Sequence, residues 1–126
     1  APEPKALFTE ETLNNLFGLV DRVFLPDSVA NYIARLVNAT HPSPDSSQLV
    51  QRSVRYGASP RAAIGLAEAA RALALINGKP SAGIADVQRL APHVLGHRVA
   101  LDFRATIDGV TTADVIASVV QSLGSD

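Results

Sequence analysis

Ser59-Pro60-Arg61-Ala62-Ala63-Ile64-Gly65-Leu66-Ala67-Glu68-Ala69-Ala70-Arg71-Ala72-Leu73-Ala74-Leu75-Ile76-Asn77-Gly78 reads as one long helix with both ends marked. Ser59 is a good N-cap whose hydroxyl can accept an orphan backbone N–H, and Pro60 suits the first helical position because its missing donor costs nothing there. Gly78 is a fitting C-terminal cap. Between these signals, apolar residues cover most of the circumference, which predicts the central helix of a helical core. The alanines raise intrinsic helix propensity and let neighbouring helices approach closely. Arg61, Glu68 and Arg71 fall at spacings of seven and three, on one narrow strip that points away from the core.

Arg61 is electrostatically misplaced. The first turn of a helix is the positive end of its dipole, where a cation loses roughly 0.3 to 1 kcal/mol. The placement makes sense if a phosphate binds nearby, since helix N-termini with free N–H groups take anions and a guanidinium adds a planar fork of donors. The alternative is an ordinary solvated arginine pairing loosely with Glu68. Tyr56 and Gly57 would then only shape the turn into the helix.

The chain has 126 residues, enough for one domain that buries about two-thirds of its unfolded surface without staples. No cysteine is present, which excludes disulfides, thiolate metal sites and cysteine nucleophiles and favours a reducing, cytoplasmic setting. The net charge of −1 gives no global field toward nucleic acid or an anionic membrane. No apolar run approaches the roughly 20 residues of a membrane span, so no membrane insertion is expected. There is no methionine at all, so the first residue is not a translation start. Ala1 to Lys5 reads as a proline-punctuated linker, and two explanations stay open: a piece of a longer protein, or an initiator methionine removed before Ala1.

Upstream of the central helix, Thr9 with Glu10 and Glu11 resembles a helix start, and Leu13, Leu16, Phe17 and Val20 recur at i, i+3, i+4, i+7. Val23 to Leu25 is a short extended run before Pro26, which with Asp27 opens a second helix striped by Val29, Tyr32, Ile33, Leu36 and Val37. His41 to Ser47 is a polar surface loop. Gln48 to Arg55 fits either a short helix or an irregular approach to Gly57. Downstream, Val87, Leu90, Ala91, Val94 and Leu95 mark a fourth helix with Asp86 in its first turn, Gly96 near its end and a bend expected at Pro92. Val99, Leu101 and Phe103 then alternate as in a short strand, and Asp108-Gly109 makes a turn. Thr111 with Asp114 begins a fifth helix running to Gly124. The expected fold is all-α, a bundle of about five helices with at most a very short two-stranded sheet.

Gly78-Lys79-Pro80-Ser81 is no phosphate-binding loop, because Pro80 separates the lysine from the hydroxyl and the earlier glycine is missing. No apolar strand ends in paired acids to hold magnesium. Any phosphate chemistry must therefore be shared with another domain. His93 and His97 share a helical face, but no third ligand is evident and no metal is expected; His97 and Arg98 fit better as cations at the last carbonyls of their helix. No histidine has the context of a catalytic triad.

Gly57-Ala58-Ser59-Pro60-Arg61-Ala62 resembles the signature that starts a helix in the C-terminal α-helical lid of MoxR-type AAA+ ATPases. Leu66, Ala69-Ala70-Arg71-Ala72, Gly78, Asp86-Val87 and Val94-Leu95-Gly96-His97-Arg98 follow in the family's order, so the likeness runs from about Leu7 to Leu123. It implies that residues 1–6 are a linker from a preceding nucleotide-binding domain and residues 7–126 the lid. It implies further that Arg61 is the second sensor arginine, touching the γ-phosphate of ATP whose phosphates and Mg are held mainly by that domain, with Gly57, Ala58, Ser59 and Pro60 shaping the contact. The implied partners are the preceding AAA+ domain, neighbouring subunits of a hexameric ring and an unknown client protein, in a chaperone-like remodelling cycle. The fragment alone would not be catalytic. Departures from the family pattern are the Pro42 and Pro44 loop and the weak helix start Gly83-Ile84-Ala85-Asp86. Two rivals remain: a helical DNA-binding module using Arg52, Arg55 and Arg61, and a self-contained bundle that recruits a protein through an apolar groove.

Overall fold

The computed structural model describes residues 9–124, apart from the side chains of Leu13, Leu16 and Phe17. The linker expected at residues 1–6 and that part of the first apolar stripe lie outside the described residues. In chain order the elements are α1 (Glu10–Arg22), α2 (Asp27–Ala39), α3 (Gln48–Ser53), β1 (Val54–Tyr56), α4 (Pro60–Ile76), α5 (Ile84–Leu95), β2 (Ala100–Leu101), α6 (Phe103–Ile107) and α7 (Thr112–Leu123). The all-α expectation holds. The five long helices are those read from the periodicity, and α3 and α6 are short additions.

Local chemistry explains the boundaries. Thr9 accepts the N–H of Thr12 at 3.1 Å to start α1. Thr111 and Asp114 exchange the two bonds of a capping box, at 3.1 and 3.0 Å, to start α7. Gly78, with φ of 70°, ends α4: its N–H bonds to Leu75 O at 3.0 Å and that of Lys79 to Ala74 O at 2.8 Å, the paired bonds of a left-handed C-terminal cap. The ambiguous stretch from Gln48 resolves into both options in succession, since Ser47 caps α3 through Val50 N–H at 3.2 Å and β1 follows at once. β1 pairs antiparallel with β2, Val54 opposite Leu101 and Tyr56 opposite Ala100, with an irregularity between. The strand is shorter than its alternation suggested. Asp102 ends it by accepting the N–H of Arg104 at 2.9 Å, so Phe103 opens α6 and stands exposed.

The core lies among α2, α4 and α5, with α7 closing over α5, α3 and α2. Tyr32, Leu36, Leu66, Leu95 and Ile116 are its largest fully buried side chains. α4 meets α1, α2 and α5, but only the stripe Ala62, Leu66, Ala70 and Ala74 is fully buried. Ile64 and Ile76 are exposed, so the helix is less enclosed than its apolar content suggested. Alanine explains the excess: it favours helix on any face, buried or wet. α5 continues through Pro92 to Leu95.

Candidate functional site

The entry to α4 is built by the end of α2. Thr40 is fully buried, and its hydroxyl donates to Val37 O at 2.6 Å and accepts the N–H of Ala58 at 2.9 Å. The next residue, His41, donates from Nε2 to the carbonyl of Ala58 at 2.6 Å. Both polar groups of the Ala58 backbone are thus held, and its side chain is buried. Ala58 contributes to the site by position.

Gly57 is required by proximity. A Cβ on it would come within 2.8 Å of His41 Cγ, His41 N and Thr40 C, so two backbone segments meet where no other residue fits. Its φ is not in the left-handed region, so what calls for glycine here is the close approach and not a special dihedral. Ser59 is the N-cap of α4 by position, but its side chain makes no capping hydrogen bond; Ala62 N–H bonds to the Ser59 carbonyl at 2.9 Å instead. Pro60 occupies the first helical position and borders a groove of about 230 Å³ with Ala34, Val37, Asn38, His41 and Ala63.

Arg61 follows, exposed, in the first turn. The pairing with Glu68 does not form, because Glu68 binds Arg71 at 3.0 Å. Among the described residues Arg61 has no hydrogen-bond or ion-pair partner. The clamp of Thr40, His41 and Ala58 therefore fixes the chain just before α4, and Arg61 stands exposed in the first turn at its positive end, an arrangement that can accept an anion brought by another body. Arg55, invoked for a DNA-binding rival, lies over the Tyr56 ring at 5.4 Å from its centroid.

Two other groups were only partly visible in the sequence. Lys79, rejected as part of a phosphate loop, grips the buried Asp86 at 2.8 and 3.0 Å, and Asp86 also accepts the Gly83 N–H at 2.8 Å. This carboxylate gives Gly83 the start of α5 that no hydroxyl provides. Burial on its own pushes the Asp86 carboxyl up, but the Lys79 and Gly83 hydrogen bonds and the Lys79 and Arg89 charges outweigh it and hold it below its ordinary value. At the other end of α5, the carbonyls of Pro92 and Leu95 are taken by the backbone N–H groups of Gly96 and Arg98, at 3.1 and 2.9 Å, and not by the side chains of His97 and Arg98. Among the described residues no three acids or histidines gather as metal ligands, and no helix is long and apolar enough to cross a membrane.

The AAA lid domain family matches residues 46–119, from the cap of α3 into α7, and so takes in the whole Gly57 to Arg61 entry. The chain belongs to the AAA lid domain family. It is a lid of the MoxR type: it is 33% identical over 123 residues to Chaperone MoxR1 of Mycobacterium tuberculosis, covering 97% of this chain and 33% of that protein. It is 30% identical over 122 residues to the uncharacterized protein YeaC of Bacillus subtilis, covering 90% of this chain and 36% of that one. A crystal structure of a protein provisionally named an ATPase, from Cytophaga hutchinsonii, superposes with a TM-score of 0.79 at 29% identity, over 85% of this lid and 33% of that chain. The lid therefore spans about a third of the length of the relatives it matches.

Proposed function

We propose that this lid works in an ATPase of the MoxR type, closing over ATP that a preceding nucleotide-binding domain holds, with Arg61 as the second sensor arginine. The observation that carries the reading is Arg61, exposed in the first turn of α4 and without a partner among the described residues, just after the stretch that Thr40 and His41 hold at Ala58. The residues present fit one half of a nucleotide site. They supply a cation and a helix N-terminus, whereas the sequence has no loop to cradle phosphates and no paired acids for Mg, which would come from the other domain. ATP hydrolysis there would supply the energy, and Arg61 would register the γ-phosphate. Gly57, Ser59 and Pro60 would fix the helix start. Release of that contact on hydrolysis would let the lid move as a rigid body, passing motion to neighbouring subunits of a hexameric ring and so to a client protein that the ring remodels in the cytoplasm.

The test is made in the full-length ATPase. Arg61→Ala removes a charge-assisted contact and should slow ATP turnover on the order of ten- to a hundredfold. Turnover and ATP affinity both equal to the unaltered enzyme would sink the assignment. The 126-residue chain alone should show no hydrolysis.

A further inference from the structure

Gly65 stands inside α4, where glycine is the least favourable residue after proline. Gly57 shows what normally justifies such a residue, since its missing Cβ admits another backbone. Nothing comparable demands Gly65: the nearest atom a Cβ there would meet is Arg98 Nη2 at 3.9 Å, an ordinary contact. Gly65 instead helps to line an open groove of about 560 Å³, together with His93, Val94, His97 and Arg98.

Each polar side chain of this lining carries N–H donors, and none is a carboxylate. Among the described residues, His93, His97 and Arg98 have no hydrogen-bond or ion-pair partner. Arg98 is free because its backbone, not its guanidinium, caps Leu95. The one acid of α4, Glu68, is engaged by Arg71. Arg61 stands one turn before Gly65, and residues so spaced are neighbours on a helix surface. Arg61 therefore stands beside a groove lined by a second guanidinium and two imidazoles, and among the described residues none of the four has a carboxylate partner.

We infer that the groove lined by Arg98, laid over Gly65, and by His93 and His97 binds, together with the neighbouring Arg61, the phosphate chain of a nucleotide, so that two arginines of the lid grip it and not one. The inference rests on reading Arg61 as facing phosphate. It adds a second cation on a different element, which would tie the α5–β2 connection to the nucleotide together with α4.

The isotopically labelled 126-residue chain, titrated at constant ionic strength with sodium tripolyphosphate and separately with ATP, tests this by the His93 and His97 ring resonances and the Arg98 Nε–H. Saturable shifts are expected at these groups with both probes. Arg98→Gln and Arg61→Gln should each weaken binding roughly two- to fivefold, the range for exposed charge pairs, while Arg104→Gln leaves it unchanged. Gly65→Met should weaken it by a similar factor or more by filling the groove. That change also raises helix propensity, and a thermal melt no lower than that of the unaltered chain separates loss of binding from loss of fold. Binding sensitive to Arg61→Gln but not to Arg98→Gln or Gly65→Met overturns the inference and leaves the second-sensor reading intact. The converse pattern overturns the two-arginine grip and counts against the second-sensor reading as well, leaving Arg98 alone on the anion. A response to tripolyphosphate without one to ATP overturns the nucleotide assignment, and shifts no larger than those from sodium acetate overturn the site.

Discussion

Thr40 lends its hydroxyl oxygen to the backbone N–H of Ala58 at 2.9 Å, which joins the end of α2 to the entry of α4 across 18 positions of sequence. Thr40→Val keeps the shape and removes the acceptor, leaving a buried N–H unsatisfied at a cost of about 1–3 kcal/mol. Urea unfolding should show a lower midpoint with an unchanged slope, and Thr40→Ser should recover most of the loss. Equal midpoints for Thr40→Val and the unaltered chain would dismiss the clamp.

The two glycines of this region should respond in opposite directions. Gly57→Ala drives a methyl against the Thr40 and His41 backbone and should destabilise by roughly 1–3 kcal/mol, as overpacking does. Gly65→Ala places its methyl at ordinary contact distance in a helix interior and should stabilise by up to about 1 kcal/mol. Thermal melts of the two variants decide this, and a fall in both would refute the open-groove account of Gly65.

The Lys79 and Asp86 pair makes a pH prediction. The folded-state pKa of Asp86 is depressed, so its stabilisation is fully present above the ordinary aspartate value of 3.8 and is lost as pH falls below it through the lower folded value. Asp86→Asn should lower stability at pH 7 by roughly 1–2 kcal/mol, the lower part of the range for charged hydrogen bonds because Lys79 is 45% exposed. The gap between variant and parent should shrink as the pH drops below 3.8. A gap constant from pH 7 to pH 2 would show that the charge of Asp86 does not matter.

Arg61→Ala in the 126-residue chain should leave stability within about 0.5 kcal/mol, because the side chain is exposed and has no partner among the described residues. Removing a cation from the positive end of α4 can even help slightly. Differential scanning calorimetry measures it directly. A loss above about 1 kcal/mol would mean that Arg61 supports the fold and is not held in reserve for a ligand.

Most of the fold was legible because helices announce themselves locally. Apolar residues recur every three or four positions in α2, α5 and α7, and Thr111 with Asp114 marks a boundary within four residues. Legibility failed where a side chain competed with the pattern. Asp102 cut the alternation of Val99, Leu101 and Phe103 by capping α6. The candidate site divides in the same way: Arg61 could be placed at the head of a helix and off the core from spacing alone, yet the same spacing offered Glu68 as its partner, and only the structure gives Glu68 to Arg71.

By itself the sequence determined the helical class, the ends of α4 and the outward direction of Arg61, because each depends on residues within a turn or two of one another. Tertiary structure alone decided why Gly57 must be glycine, what Lys79 and Asp86 do, and that Arg98 reaches Gly65. Those facts join positions 7 to 33 residues apart across separate elements, and no periodicity encodes a contact made by the packing of one helix on another.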